Sequence, residues 1–115
     1  MKQMRVLLVE DHGLVRAGFR ALLEGISGIR VIGEAAEGRS ALGMISSQKP
    51  NVVLMDIALP GLNGLATLEQ VVKYHPKVQV IMLSMHANEE YVSRALRSGA
   101  RGYVLKDADI SELEL

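Results

Sequence analysis

The sequence predicts an α/β domain built on a doubly wound, five-stranded parallel sheet. Three observations carry that prediction. Five short apolar runs alternate with five segments of helical periodicity along 115 residues. The main apolar runs are continuous rather than alternating, the pattern of strands buried on both faces. Strands separated by helices imply parallel pairing, right-handed crossovers and helices on both sides of the sheet. The length suffices for one hydrophobic core and is too short for two, so residues 1–115 are expected to form a single domain.

The elements follow in order. Met4-Arg5-Val6-Leu7-Leu8-Val9 reads as a first buried strand, running into Glu10-Asp11. Leu14, Val15, Gly18, Phe19, Leu22 and Leu23 recur at helical spacing, and Gly25 closes that helix. Arg30 to Ala35 is a weaker strand, less continuously apolar, as suits an edge. Gly38 to Gln48 carries a second helix with Ala41, Leu42 and Ile45 inward. Pro50 and Asn51 punctuate the chain before Val52-Val53-Leu54-Met55, a buried strand that ends on Asp56. Pro60-Gly61 and Asn63-Gly64 then break the chain. Leu65, Leu68, Val71 and Val72 mark a third helix, stopped at His75-Pro76 because proline disfavours helix in the residue before it. Val78 to Leu83 is a fourth strand, ending in Ser84. Asn88 is placed to cap a helix from Glu89 to Ser98, with acids in its first turn and Gly99 at its end. Gly102-Tyr103-Val104-Leu105 is a short fifth strand ending in Lys106. Asp109 and Glu112 form a capping pair for a last helix of only about seven residues. That helix is short enough to suggest truncation.

Composition narrows the function. Thirteen basic and thirteen acidic residues give a net charge of zero, against the basic excess of a dedicated nucleic-acid binder. No apolar run approaches the roughly 18 residues needed to cross a bilayer. The segment Met1 to Arg5 leads into an apolar run with no small-residue cleavage site, so a signal peptide is not expected. Cysteine is absent, which removes disulfides and thiolate metal sites. A soluble, cytoplasmic domain is the expectation.

The chemistry gathers at the strand ends. In an open parallel sheet the carboxyl ends of the strands face one crevice. Here they carry Glu10 and Asp11, Asp56, Ser84 and Lys106. Three carboxylates brought together repel, and a hard divalent cation removes that penalty. An all-oxygen ligand set favours Mg2+, which binds through one or two carboxylates plus a phosphate. An aspartate carboxylate can accept a phosphoryl group as an acyl phosphate, and Lys106 and the metal can neutralise its oxygens. Any one of these residues has a plainer reading. Glu10-Asp11 can be a solvated strand end, Ser84 a turn cap, and Lys106 a surface lysine. Those readings do not explain why all of them arrive at strand ends. His12 and His86 flank the site and are taken as bystanders.

Four segments in register carry a resemblance. They are Val9-Glu10-Asp11-His12, Leu54 to Gly64, Leu83-Ser84-Met85-His86 and Gly99 to Ala108. Together they resemble the receiver domain of bacterial two-component response regulators, in the subfamily bearing a C-terminal LuxR-type helix-turn-helix. The resemblance implies the sheet order 2-1-3-4-5. It implies that Glu10, Asp11, Asp56 and the backbone carbonyl of Ala58 hold Mg2+, and that Asp56 accepts phosphate from a sensor histidine kinase. It makes Ser84 the switch hydroxyl, Tyr103 the switch aromatic and Lys106 the phosphate partner. It also implies DNA binding only through an output domain outside this chain, and a second copy of the chain as a further partner.

The sequence departs from common receivers at three places. Asp107 follows Lys106 where many have proline, Met85 follows the switch serine, and Ala58 replaces a larger polar residue. Ala58 cannot orient a water by a side-chain hydrogen bond, which predicts slow self-dephosphorylation. A phosphoryl lifetime of only seconds in purified protein would refute it. Two other functions compete. A magnesium phosphohydrolase usually has a second Asp two residues after its nucleophile, and here that position is Ala58. A flavin or nucleotide module needs a phosphate loop after the first strand, where Glu10-Asp11-His12-Gly13 offers acids.

Overall fold

A computed structural model describes residues 3–57, 59, 61–84 and 89–105. The order is β1 (Met4–Val9), α1 (Gly13–Glu24), β2 (Ile29–Ala35), α2 (Gly38–Gln48), β3 (Val52–Asp56), α3 (Gly64–Tyr74), β4 (Gln79–Ser84), α4 (Glu89–Arg97) and β5 (Gly102–Leu105). All strand pairs are parallel and the sheet order is β2-β1-β3-β4-β5, as the resemblance implied. The cap at Asn88 and the last helix from Asp109 lie outside the described residues.

The period-2 geometry of a strand splits the core into two layers. Val6 and Leu8 of β1, with Leu54 of β3, point to the α1 side and meet Phe19 and Leu23. Leu7 and Val9, with Val53 and Met55, point to the other side and meet Ile45 of α2 and Leu68 of α3. This is why Val6 to Val9 of β1 and Val52 to Met55 of β3 carry no polar residue. β1 shifts register against β2 between Val6 and Leu7, so that Ile32 of β2 is left without a β1 partner.

One expectation needs correction. Leu14 shares the helical spacing of α1 yet is 88% exposed, and Leu22 is half exposed. Val15 of the same turn packs on the core, and at 100° per residue Leu14 lies roughly 140° away from the Val15–Phe19–Leu23 stripe, so it faces away from the sheet. Gly25 does end α1, but in right-handed geometry at φ −76°, its N–H bonding back to carbonyls of the last turn.

Candidate functional site

The site sits where β1 and β3, adjacent at the centre of the sheet, both run out. Val9 pairs with Met55, so the next residues along, Glu10 and Asp56, stand side by side at the rim. Both are buried, Glu10 completely and Asp56 to 2% exposure, while Asp11 in the turn after β1 is partly open. One ligand atom from each of Glu10, Asp11, His12 and Asp56 can be chosen so that all lie within 4.8 Å of one another.

Local structure explains this crowding. The Glu10 N–H donates to Ala35 O at 2.9 Å, carrying the β1–β2 ladder one step past the strand. The Ile57 N–H donates to Leu83 O at 3.0 Å and does the same for β3 on β4. The loop after β3 then folds back, and the Gly64 N–H donates to Ile57 O at 3.1 Å. A side chain at position 64 has no room: an added Cβ would lie 2.4 Å from Asp56 O and 2.6 Å from Ile57 Cα, all backbone. Glycine therefore lets α3 begin directly against the strand end that carries Asp56. Asn63 starts that helix, its Oδ1 accepting from the Ala66 N–H at 2.9 Å.

His12 belongs to the cluster. Its Nδ1 lies 2.9 Å from Glu10 Oε1 and 3.2 Å from Asp11 Oδ1, and its backbone N–H donates to Glu10 Oε1 at 3.2 Å. Asp11 Oδ1 is enclosed and accepts no hydrogen bond from the described residues, the His12 ring nitrogen at 3.2 Å being the polar group beside it. The donor set is three carboxylates and one imidazole. Hard oxygen donors in excess suit a divalent cation such as Mg2+, and an enclosed carboxylate oxygen without a donor is where such an ion would fit.

Two arginines and two glutamates form a network beside the acids. Arg16 of α1 donates from Nη1 to Glu10 O at 2.8 Å and from Nε to Glu34 Oε1 at 2.8 Å. Arg20 Nη1 donates to the other Glu34 oxygen, and its Nε to Glu24 Oε1 at 2.8 Å. The bond from Arg20, seconded by that from Arg16, holds the Glu34 carboxyl below its ordinary range, against the opposing effect of burial. The same two glutamates, Glu34 first, hold the Arg20 guanidinium above its ordinary value.

Of the residues predicted from sequence, Glu10, Asp11 and Asp56 are brought together. Ser84 ends β4 and Tyr103 lies in β5, paired with Met82; only their backbones are described. Ala58, Met85, His86, Lys106 and Asp107 lie outside the described residues. His12 was passed over as a bystander, although its place directly after an acid pair at a strand end was a signal. Arg16 and Glu34 were missed altogether. The only cue was a basic residue early in α1 and an acid near the end of the strand beside β1.

Comparison with known proteins agrees with this geometry. A family profile described as the response regulator receiver domain matches residues 6–115. The chain is 40% identical over 110 residues to the response regulator UvrY of Escherichia coli, covering 96% of this chain and 50% of that protein. It is 37% identical over 110 residues to the response regulator GacA of Pseudomonas viridiflava, covering 96% and 51%. It thus spans about half the length of the curated relatives it matches. The signal receiver domain of the response regulator NarL from Mycobacterium tuberculosis superposes with a TM-score of 0.93 at 34% identity, over 98% of this chain and 91% of that one. A LuxR-family two-component response regulator from Aurantimonas gives 0.93 at 33%, over 98% and 81%. No helix among the described residues is long and apolar enough to cross a membrane. With its sheet order, its acidic rim and a profile match over nearly its whole length, the chain belongs to the response regulator receiver domain family.

Proposed function

We propose that residues 1–115 are the receiver domain of a cytoplasmic two-component response regulator and that Asp56 is its phosphoacceptor. The observation that carries this reading is the gathering of Glu10, Asp11 and Asp56 at the carboxyl rim, with ligand atoms within 4.8 Å. An Asp56 oxygen attacks the phosphorus of a phosphohistidine on a sensor kinase. The new O–P bond forms as the P–N bond breaks, and the imidazole leaves with the electron pair and takes up a proton. Glu10, Asp11, Asp56 and the Ala58 carbonyl are the groups that would hold Mg2+. When bound, Mg2+ neutralises the carboxylates and the phosphoryl oxygens. Lys106 pairs with a phosphoryl oxygen, and Ser84 donates a hydrogen bond to another. The acyl phosphate adds up to about two negative charges at one end of the sheet. Ser84 and Lys106 follow that charge, Tyr103 turning inward as Ser84 moves, and bias a two-state surface around α4 and β5.

In this reading the domain is a stoichiometric acceptor rather than a turnover enzyme. The full protein carries a LuxR-type DNA-binding output domain, and the switched surface is read by it or by a second copy of the chain. The test is incubation with acetyl phosphate and Mg2+, followed by intact-mass and fragment-mass measurement. One phosphoryl group per chain, on Asp56, and none on an Asp56→Asn variant is the expected result. Release of many equivalents of inorganic phosphate per chain would instead mark a phosphohydrolase, and no uptake at all would overturn the reading.

A further inference from the structure

We propose that Arg16 is a positioning residue for the phosphoacceptor site, locking the Glu10–Asp11 peptide, and that Glu34 acts through it. The inference rests on the reading of the acidic cluster given under Proposed function. The Glu10 backbone is held on both sides: its N–H donates to Ala35 O, and its carbonyl accepts from Arg16 Nη1 at 2.8 Å. That carbonyl and the Asp11 N–H belong to one planar unit. Fixing the carbonyl fixes the plane from which the Asp11 side chain departs toward the cluster. Arg16 is itself aimed. Its Nε is bonded at 2.8 Å to Glu34 of the neighbouring strand, and Glu34 is steadied on its other oxygen by Arg20.

The arrangement needs a guanidinium. Nε and Nη1 point in different directions from one rigid plane, so one side chain can bridge a β2 carboxylate and a β1 carbonyl, which a single ammonium cannot do with the same geometry. Both partners are mostly covered, at 26% exposure for Arg16 and 29% for Glu34, which limits solvent competition. Arg16 also brings its positive charge to the Glu10 backbone, beside the acidic cluster, without supplying one of the clustered ligand atoms. Supporting groups of this kind tune metal affinity without touching the metal.

The experiment uses Mn2+ alone as the probe, titrated into the 115-residue chain, with free Mn2+ counted by electron paramagnetic resonance and thermal unfolding recorded beside it. Arg16→Met weakens Mn2+ binding by about tenfold. Arg16→Lys recovers only part of that loss. Glu34→Gln weakens binding by about threefold, because the guanidinium keeps its charge and loses only its aim. Glu24→Gln, which removes a bond at the far end of the network, leaves the Kd at the wild-type value. If Glu34→Gln and both Arg16 variants lower the melting temperature as Glu24→Gln does while Mn2+ affinity stays unchanged, the inference is overturned and the network is merely structural. If the wild type binds no Mn2+, the phosphoacceptor reading falls, and this inference with it.

Discussion

Replacing Asp56 by Asn should make the metal-free protein more stable. The cluster holds ligand atoms of Glu10, Asp11 and Asp56 within 4.8 Å. At that separation and an effective dielectric near 20, one like-charge pair costs about 3 kcal/mol. Asp56 makes two such pairs. Any charge on His12 and the local N–H donors already offset part of the repulsion, so the net relief on neutralising Asp56 is about 1–3 kcal/mol. Asn keeps the shape of Asp, so no cavity opens. In a chain of this size each kcal/mol moves the melting temperature by about 4 °C, which predicts a rise of about 4–12 °C in chelator. Mg2+ should act in the opposite sense on the comparison. At a hundredfold excess over its Kd it adds about 2.7 kcal/mol to the wild type, and much less to the variant that has lost a ligand. Thermal unfolding of both proteins by circular dichroism, with EDTA and then with Mg2+, reads the two effects together. A variant less stable than wild type in chelator, or equal Mg2+ shifts for both proteins, would show that the three acids do not share one strained, ion-seeking pocket.

Three other perturbations test the frame around that pocket. Gly64→Ala pushes a methyl group to 2.4 Å from Asp56 O, and the atoms it meets are backbone; it should cost about 2 kcal/mol in urea denaturation and reduce phosphoryl uptake at Asp56. A neutral stability with full uptake would contradict the close approach of α3 to the strand end. Leu68→Ala empties a fully buried position between α3 and the sheet and should cost about 3 kcal/mol, read from the urea midpoint at constant slope. Glu34→Gln tests the charge network through pH. The folded carboxyl lies below its ordinary value of 4.5, chiefly through Arg20. Its contribution is therefore fully present above that value and is lost as pH falls through the folded one. The pair is partly exposed, so the variant should lose only about 1 kcal/mol at neutral pH. The gap between variant and wild type should close in acid; a gap that persists unchanged to about pH 3 would rule out an ionic origin.

Much of this molecule could be read from single residues and short runs. Continuous apolar strands such as Val52 to Met55 announce burial on both faces, and their polar end residues mark the rim. Three acids at the ends of two strands were legible because strand ends in a parallel sheet all face one way. What was not legible depends on pairing between distant elements. Arg16 and Glu34 are eighteen positions apart, and only the placement of β2 beside β1 brings them together. Helical spacing correctly grouped Phe19 and Leu23 but also enrolled Leu14, an apolar residue that lies off their i, i+4 stripe and points away from the sheet. Asn63 as a cap went unnoticed because the turn signals around it already accounted for the break.

The site also shows where local physics and global fold disagree. Elsewhere in the sheet, the buried positions among the described residues are apolar, and backbone groups continue the ladders past the ends of β1 and β3. Only at the rim are Glu10 and Asp56 buried with acids as neighbours, on a floor so tight that position 64 admits no side chain. A sequence selected for stability alone would place apolar or singly charged residues there. Burial and rigidity together forbid the carboxylates from relaxing apart, and the Arg16 bridge keeps their peptide from turning away. The repulsion is thus held in place by the fold, and a bound cation would relieve it; on the proposed reading that cation must also offset the charge a phosphoryl group adds. On the proposed reading, chemistry at Asp56 is thereby coupled to the stability of the whole sheet. That coupling also explains why the expected signal is a shift in a structural equilibrium rather than a local event.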